Sequence, residues 1–140
     1  MLALDVGARR IGLAISDELG ITAQGLETLQ RTNIRDDLAR LANIVQERSV
    51  GLILVGHPLH MSGRESRQAE YVREFADKLT ARIGLPVRFW DERLTSVQAG
   101  RVLRESGISI RKRALAVDRM AAVLLLESYL DSPGRDKEAE

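Results

Sequence analysis

The chain has 140 residues, 44% hydrophobic and 29% charged, which is the profile of one globular domain rather than two. Lysine plus arginine is 21 against 20 aspartate plus glutamate, for a net charge of +1, so total charge neither requires nor excludes a nucleic-acid partner and its distribution has to decide. The chain has no cysteine, which excludes disulfides, thiolate zinc sites and a cysteine nucleophile and suits a reducing compartment. No apolar stretch reaches the ~18 residues of a membrane span, and the opening MLALDVGARR lacks the basic-then-apolar order of a signal peptide, so a cytoplasmic protein with no membrane partner is expected.

Residues 2–7, LALDVG, read as a short strand ending at glycine, and 11–16, IGLAIS, as a second. The tight Ala8–Arg10 turn between them predicts an antiparallel hairpin. A third apolar stretch lies within Ile21–Leu29. Asn33 is placed as a helix N-cap, followed by Ile34, Leu38, Leu41, Ala42 and Val45 at helical spacing, so a helix is predicted over 34–48. Gly51–Gly56 is a continuous apolar run of the kind buried on both faces in a parallel sheet. Residues 57–66 read as a loop. Ala69, Val72, Phe75, Ala76, Leu79 and Ile83 mark a second helix, stopped by Gly84 and Pro86. Pro86–Trp90 is the next strand, and Thr95 with Gln98 forms a capping box that opens a helix at 96–106. Ser109–Arg113 reads as a basic loop and Asp118–Leu130 as a last, largely buried helix. The 132–140 tail is charged and expected to be disordered, leaving 1–131 as the domain. A meander followed by strand–helix–strand crossovers predicts an α/β fold with a mixed sheet.

Three acidic positions stand out. Asp5 lies inside an apolar strand, where a charge is costly unless paired or bound to a metal. Its ordinary role would be to hydrogen-bond the backbone at the Gly7 turn. Asp91 and Glu92 follow an apolar run at the C-terminal end of a parallel strand, where open α/β sheets place their ligands; otherwise they are a solvated strand end paired with Arg93. Asp118, at the start of the last helix, is a natural N-cap. However, Ala121 and Ala122 follow on the same face, and small side chains there let the helix lie close to the sheet, bringing Asp118 toward Asp5 and Glu92. Three converging carboxylates resist joint ionisation. A hard divalent cation removes that conflict, and a pair of such ions suits phosphodiester cleavage.

Basic residues surround these positions in chain order: Arg9 and Arg10 at the first turn, Arg93, Arg101 and Arg104 beyond the last strand, then Arg111, Lys112 and Arg113. Singly each is a surface charge; together they suit phosphate positioning. Aromatic residues are only 4%, too few for a base-stacking platform to dominate. His57 and His60 have no third soft ligand nearby, which argues against zinc. The backbone at Ser62 and Gly63 is a weak phosphate candidate.

The segments Asp5-Val-Gly-Ala-Arg-Arg-Ile-Gly-Leu-Ala, Val55-Gly-His-Pro-Leu-His-Met-Ser-Gly, Asp91-Glu-Arg-Leu-Thr-Ser and Asp118-Arg-Met-Ala-Ala, in this order and spacing, closely resemble the YqgF family. The resemblance extends from about Leu2 to Leu130. Members are named as pre-16S rRNA nucleases and, earlier, as Holliday junction resolvases. The resemblance implies an RNase H-like fold with a five-stranded mixed sheet and helices on both faces. It also implies a catalytic Mg²⁺ or Mn²⁺ site made by Asp5, Glu92 and Asp118. Substrate would be held by Arg9, Arg10, Arg93, Thr95, Arg111, Lys112 and Arg113. Glu92 is preferred to Asp91 because related resolvases use a glutamate there. The implied substrate is the 5′ region of precursor 16S rRNA or other structured nucleic acid, with ribosomal particles as a further partner and a monomer or homodimer as the active form. Two departures bear on this: His57, His60 and Ser62 replace the family's leucine, asparagine and aspartate, and Ala121 stands where resolvases carry a further aspartate.

Two other readings compete with an RNA nuclease: a junction resolvase, which needs a two-fold dimer, and a nucleic-acid-binding module without catalysis. An actin-like ATPase would need a second domain that 140 residues do not supply.

Overall fold

The computed structural model describes residues 1–17, 19–57, 67–91 and 110–131, with side chains described except at 57, 67, 68, 91 and 110–115. Strand β1 (Leu2–Val6) and strand β2 (Arg10–Ser16) form the expected antiparallel hairpin, in register from Leu2↔Ile15 to Val6↔Ile11. The Gly7 N–H donates to the Arg10 carbonyl at 2.9 Å and closes the turn. The apolar stretch expected within 21–29 resolves into two short strands. Strand β3 (Ala23–Gly25) pairs with the far half of β2, and β4 (Leu29–Gln30) returns to its beginning through Arg10↔Gln30 and Ile11↔Leu29. Between them Leu26 donates its N–H to the Leu13 carbonyl at 2.9 Å and packs against the core.

Helix α1 (Ile34–Glu47) starts where the sequence places it, with the Asn33 side chain accepting from the Asp36 N–H at 2.9 Å. Strand β5 (Ile53–His57) lies parallel to β1, and β6 (Val87–Asp91) parallel to β5, through Leu4↔Val55 and Val55↔Phe89. Helix α2 (Arg67–Ile83) makes the crossover between them and stops before Gly84, whose φ of +79° suits glycine. The strand order is β3-β2-β1-β5-β6, with the two-residue β4 beside β2. The expected five-stranded mixed sheet is therefore present with a sixth short strand added. The predicted 96–106 helix and the 132–140 tail lie outside the described residues.

The last helix corrects the sequence reading. Helix α3 runs Ile110–Leu130, so Arg111, Lys112 and Arg113 belong to its first turn and not to a basic loop. Arginine, lysine, alanine and leucine fill 111–116, all strong helix formers, and their charge does not interrupt a helix. Asp118 consequently sits in the helix interior, two turns in, and is not an N-cap.

Alternation along the strands builds two cores. Leu2, Leu4, Val6, Ile11, Leu13, Ile53 and Val55 pack under α1 and α2 with Leu38, Leu41, Val72, Phe75 and Leu79. Ala3, Ala14 and Leu54 pack on the other face with Ala122, Leu125, Leu126 and Tyr129 of α3. Helices thus cover both faces, and β1, in the centre, is buried from each side. Three contacts tie β6 to α3: Trp90 meets Tyr129 edge-to-face at 5.2 Å, Trp90 Nε1 donates to Ser128 Oγ at 3.1 Å, and Arg88 donates to the Tyr129 hydroxyl at 2.7 Å.

Candidate functional site

Asp5 is the one acidic residue of β1. Because Leu2, Leu4 and Val6 belong to the α1–α2 core and Ala3 to the α3 core, alternation directs Asp5 to the α3 face. It is half-buried there. Its cross-strand partner is Gly12, and Gly12 is where α3 comes down on the sheet. A Cβ at this position would lie 1.9 Å from the Asp118 carbonyl oxygen. Only glycine permits that approach. Asp5 and the backbone of Asp118 therefore flank the same glycine. The packing that Ala121 and Ala122 led us to expect is present: they are 1% and 0% exposed.

Arg10 completes this cluster. It is two residues before Gly12 on β2 and hence on the same face, and its Nε donates to Asp118 Oδ2 at 2.6 Å. Both side chains remain accessible, at 33% and 23% exposure. Arg9 is exposed at the tip of the turn. The structure thus joins Arg10 to Asp118 and sets Asp5 beside them on the same face, across Gly12. The backbone places Arg111, Lys112 and Arg113 one to two turns earlier on α3. Glu92, Arg93, Thr95, Arg101, Arg104, His60, Ser62 and Gly63 lie outside the described residues. The backbone of His57, at the end of β5, is in register with Asp91 at the end of β6.

The donor set fits a hard cation. Asp5 and Asp118 offer carboxylate oxygens on a backbone whose spacing is fixed by the Gly12 contact, and oxygen is what Mg²⁺ and Mn²⁺ take. Among the described residues no three histidine, cysteine, aspartate or glutamate side chains gather; the third expected donor, Glu92, is not one of those residues.

A second charged group, not singled out in the sequence, braces the hairpin from the opposite face. Asp37 in the first turn of α1 is 1% exposed, accepts from Arg31 Nε at 3.0 Å, and accepts from the Thr32 N–H at 3.1 Å. Arg31 also donates to the Gly7 carbonyl at 3.0 Å and to the Tyr71 hydroxyl, and its guanidinium lies over the Phe75 ring at 5.1 Å. Its own N–H donates to the Arg9 carbonyl at 2.9 Å. One arginine thus joins the turn after Asp5 to α1 and α2. In sequence, an aspartate in a first helical turn looks like an ordinary partner of the helix dipole; only its apolar neighbours Leu38 and Leu41 hint at burial.

Comparison with known proteins gives consistent results. Residues 1–132 match the family model described as RuvX, Holliday junction resolvase. A protein of Koribacter versatilis named as a candidate pre-16S rRNA nuclease is 56% identical, over 99% of this chain and 90% of its own. A protein of Moorella thermoacetica with the same name is 49% identical over 97% of each chain. Among solved structures, Thermus thermophilus RuvC in complex with a Holliday junction substrate superposes with a TM-score of 0.56 at 14% identity, covering 92% of both chains. Fowlpox virus resolvase, solved with Holliday junction DNA, also gives 0.56, at 13% identity over 94% of this chain and 97% of that one. At these identities the likeness is one of fold, and it agrees with the expected RNase H-like architecture.

Proposed function

The chain belongs to the RuvX (YqgF) family, and from that premise we propose that it is a divalent-cation-dependent phosphodiester hydrolase that matures the 5′ end of precursor 16S rRNA. One observation supports the chemical part of this reading: Asp5 and the backbone of Asp118 flank Gly12 on one face of the central strands. Two acidic residues carried on one face of the sheet are a donor pair that a hard cation can use, and Arg10 balances the charge of Asp118 when no cation is there. The substrate assignment rests on the relatives, which share about half of their residues with this chain over nearly its full length.

Asp5, Glu92 and Asp118 would hold Mg²⁺ or Mn²⁺. When bound, these cations lower the pKa of water and stabilise the leaving oxygen. The remaining work belongs to the chain's own residues. Asp5, on a strand buried from both sides, holds its oxygens in place with little freedom of the backbone. The preference for Glu92 over Asp91 is supported by parity along β6. Arg88 and Trp90, the even-numbered residues of β6, face α3, as Asp5 does on β1. Arg9 and Arg10, together with Arg93, Thr95, Arg111, Lys112 and Arg113, would bind phosphates on either side of the scissile bond. The reading places the enzyme in the cytoplasm, on precursor rRNA or ribosomal particles, with residues 1–131 as the catalytic unit.

Incubating the protein with a precursor 16S 5′ fragment in Mn²⁺, Mg²⁺ or EDTA, beside Asp5→Asn, tests this directly. Cleavage should require cation and Asp5, with the variant still folded. Cleavage that survives in EDTA or in Asp5→Asn would refute it. A second reading, a DNA junction resolvase, is favoured by the description of the family model and by the fold shared with RuvC. It predicts symmetric cuts in a four-way DNA junction made by a two-fold dimer.

A further inference from the structure

Two of the arginine–aspartate pairs among the described residues differ sharply in character. Arg31–Asp37 is locked: the side chains are 10% and 1% exposed and Arg31 is held by the Gly7 carbonyl and the Tyr71 hydroxyl as well. Arg10–Asp118 is open to water, at 33% and 23%. A partly buried pair with this much access to water can be reached by a competing ligand without opening the core. The backbone of Arg10 is fixed on both sides, by its carbonyl accepting from Gly7 N–H and by its pairing with Gln30, so movement is confined to the side chain.

Resting on the reading above, we propose that Arg10 is a built-in counter-ion of Asp118, competing with the divalent cation for that carboxylate and transferring to a substrate phosphate when the cation takes it. Three features support this. The Nε contact at 2.6 Å engages Asp118 Oδ2 itself, one of the two oxygens a cation would use. A guanidinium beside a divalent cation repels it, so both cannot share Asp118 without cost. Phosphate is the other ligand that suits a guanidinium, which has five N–H donors in a planar fork. Cation and nucleic acid would then bind with positive coupling: each ligand removes the partner that opposes the other. Arg10 acts here on Asp118 as a positioning and gating residue as well as on phosphate.

The test is Mn²⁺ binding by calorimetry, without substrate, on Arg10→Gln, Arg10→Lys, Asp118→Asn and the Arg10→Gln/Asp118→Asn double variant. Urea midpoints serve to confirm folding. Arg10→Gln should bind Mn²⁺ about tenfold more tightly, the scale expected for removing one nearby positive charge partly screened by solvent. Arg10→Lys, which keeps the charge, should stay near wild type. The effect of Arg10→Gln should vanish in the double variant. In EDTA, Asp118→Asn should bind the precursor RNA fragment more tightly, and the gain should be lost in the double variant because it is the released Arg10 that provides it. If Asp118→Asn binds Mn²⁺ like wild type, the ligand assignment itself is wrong. If Asp118→Asn loses Mn²⁺ but Arg10→Gln leaves it unchanged or weaker, only the counter-ion proposal falls. An RNA gain equal with and without Arg10 also overturns it.

Discussion

The contact of α3 with Gly12 predicts a large effect from one methyl group. In Gly12→Ala the new Cβ would lie 1.9 Å from the Asp118 carbonyl oxygen and 2.5 Å from its carbonyl carbon, where ordinary contact begins at 3.4 Å. Both partners are backbone, so no rotamer change can relieve the clash. Helix and strand must part locally by roughly 1.5 Å, well beyond what close-packed interiors absorb. The residues displaced include Ala121, Ala122, Leu125 and Leu126, all 0–1% exposed. Overpacking of cores costs about 1–3 kcal/mol, and a backbone-on-backbone clash belongs at or above the top of that range, so about 3 kcal/mol is expected. For a chain of this size that is a fall in Tm of about 10 °C. Gly51→Ala is the control: a Cβ there meets nothing within 4 Å, and the change should be neutral or stabilising by up to ~1 kcal/mol. Calorimetric melting of the two variants beside wild type decides the matter. A Gly12→Ala protein melting within about 2 °C of wild type would show that α3 is not seated on Gly12 as described.

Two further outcomes follow from the charges and caps. Asp37→Ala leaves the mostly buried Arg31 guanidinium without its carboxylate, so urea unfolding should show a loss of about 3–5 kcal/mol, and a loss below about 1 kcal/mol would mean that the pair is not buried as found. Asn33→Ala removes the acceptor for the Asp36 N–H and should cost about 1 kcal/mol, largely restored in Asn33→Ser; an unchanged denaturation midpoint for Asn33→Ala would count against the cap.

The elements that were legible in the sequence are those whose signals are local. The β1–β2 hairpin, the Asn33 cap, the apolar run of β5 and the Gly84 stop of α2 each declare themselves within a few residues. The start of α3 did not, because a cluster of three basic residues looks like a solvated loop while its helix propensity points the other way. The division of residues 21–30 into β3 and β4 depends on two separate pairings with the ends of β2, which no local pattern reveals. At the site, Asp5 was visible as a charge in an apolar strand, and Ala121–Ala122 correctly indicated the close approach of the last helix. What those alanines approach became clear only with the register Asp5↔Gly12. The glycine that ends the Asp5–Gly12 motif looks like a strand residue and acts as a seat for a helix. In sequence Arg10 looks like a phosphate ligand, and its engagement with Asp118 across 108 positions depends on tertiary structure alone. Asp37 was hidden for the same reason, since a first-turn aspartate looks alike whether it faces water or a buried arginine.

The central position of β1 has a consequence for how the protein breathes. Leu2, Ala3 and Leu4 are all 0% exposed, and the strand is hydrogen-bonded on both edges. Its amides can exchange with solvent only through openings close to global unfolding, whereas β6, paired with β5 alone among the described strands, can detach at lower free energy. In a hydrogen-exchange experiment the Asp5 side of the site would be among the slowest-labelled parts of the molecule, and the strand leading to Glu92 would label sooner. Under the proposed assignment the carboxylates would thus be carried by segments of unequal permanence, and a mild denaturant should release the β6 edge while Asp5 stays in place.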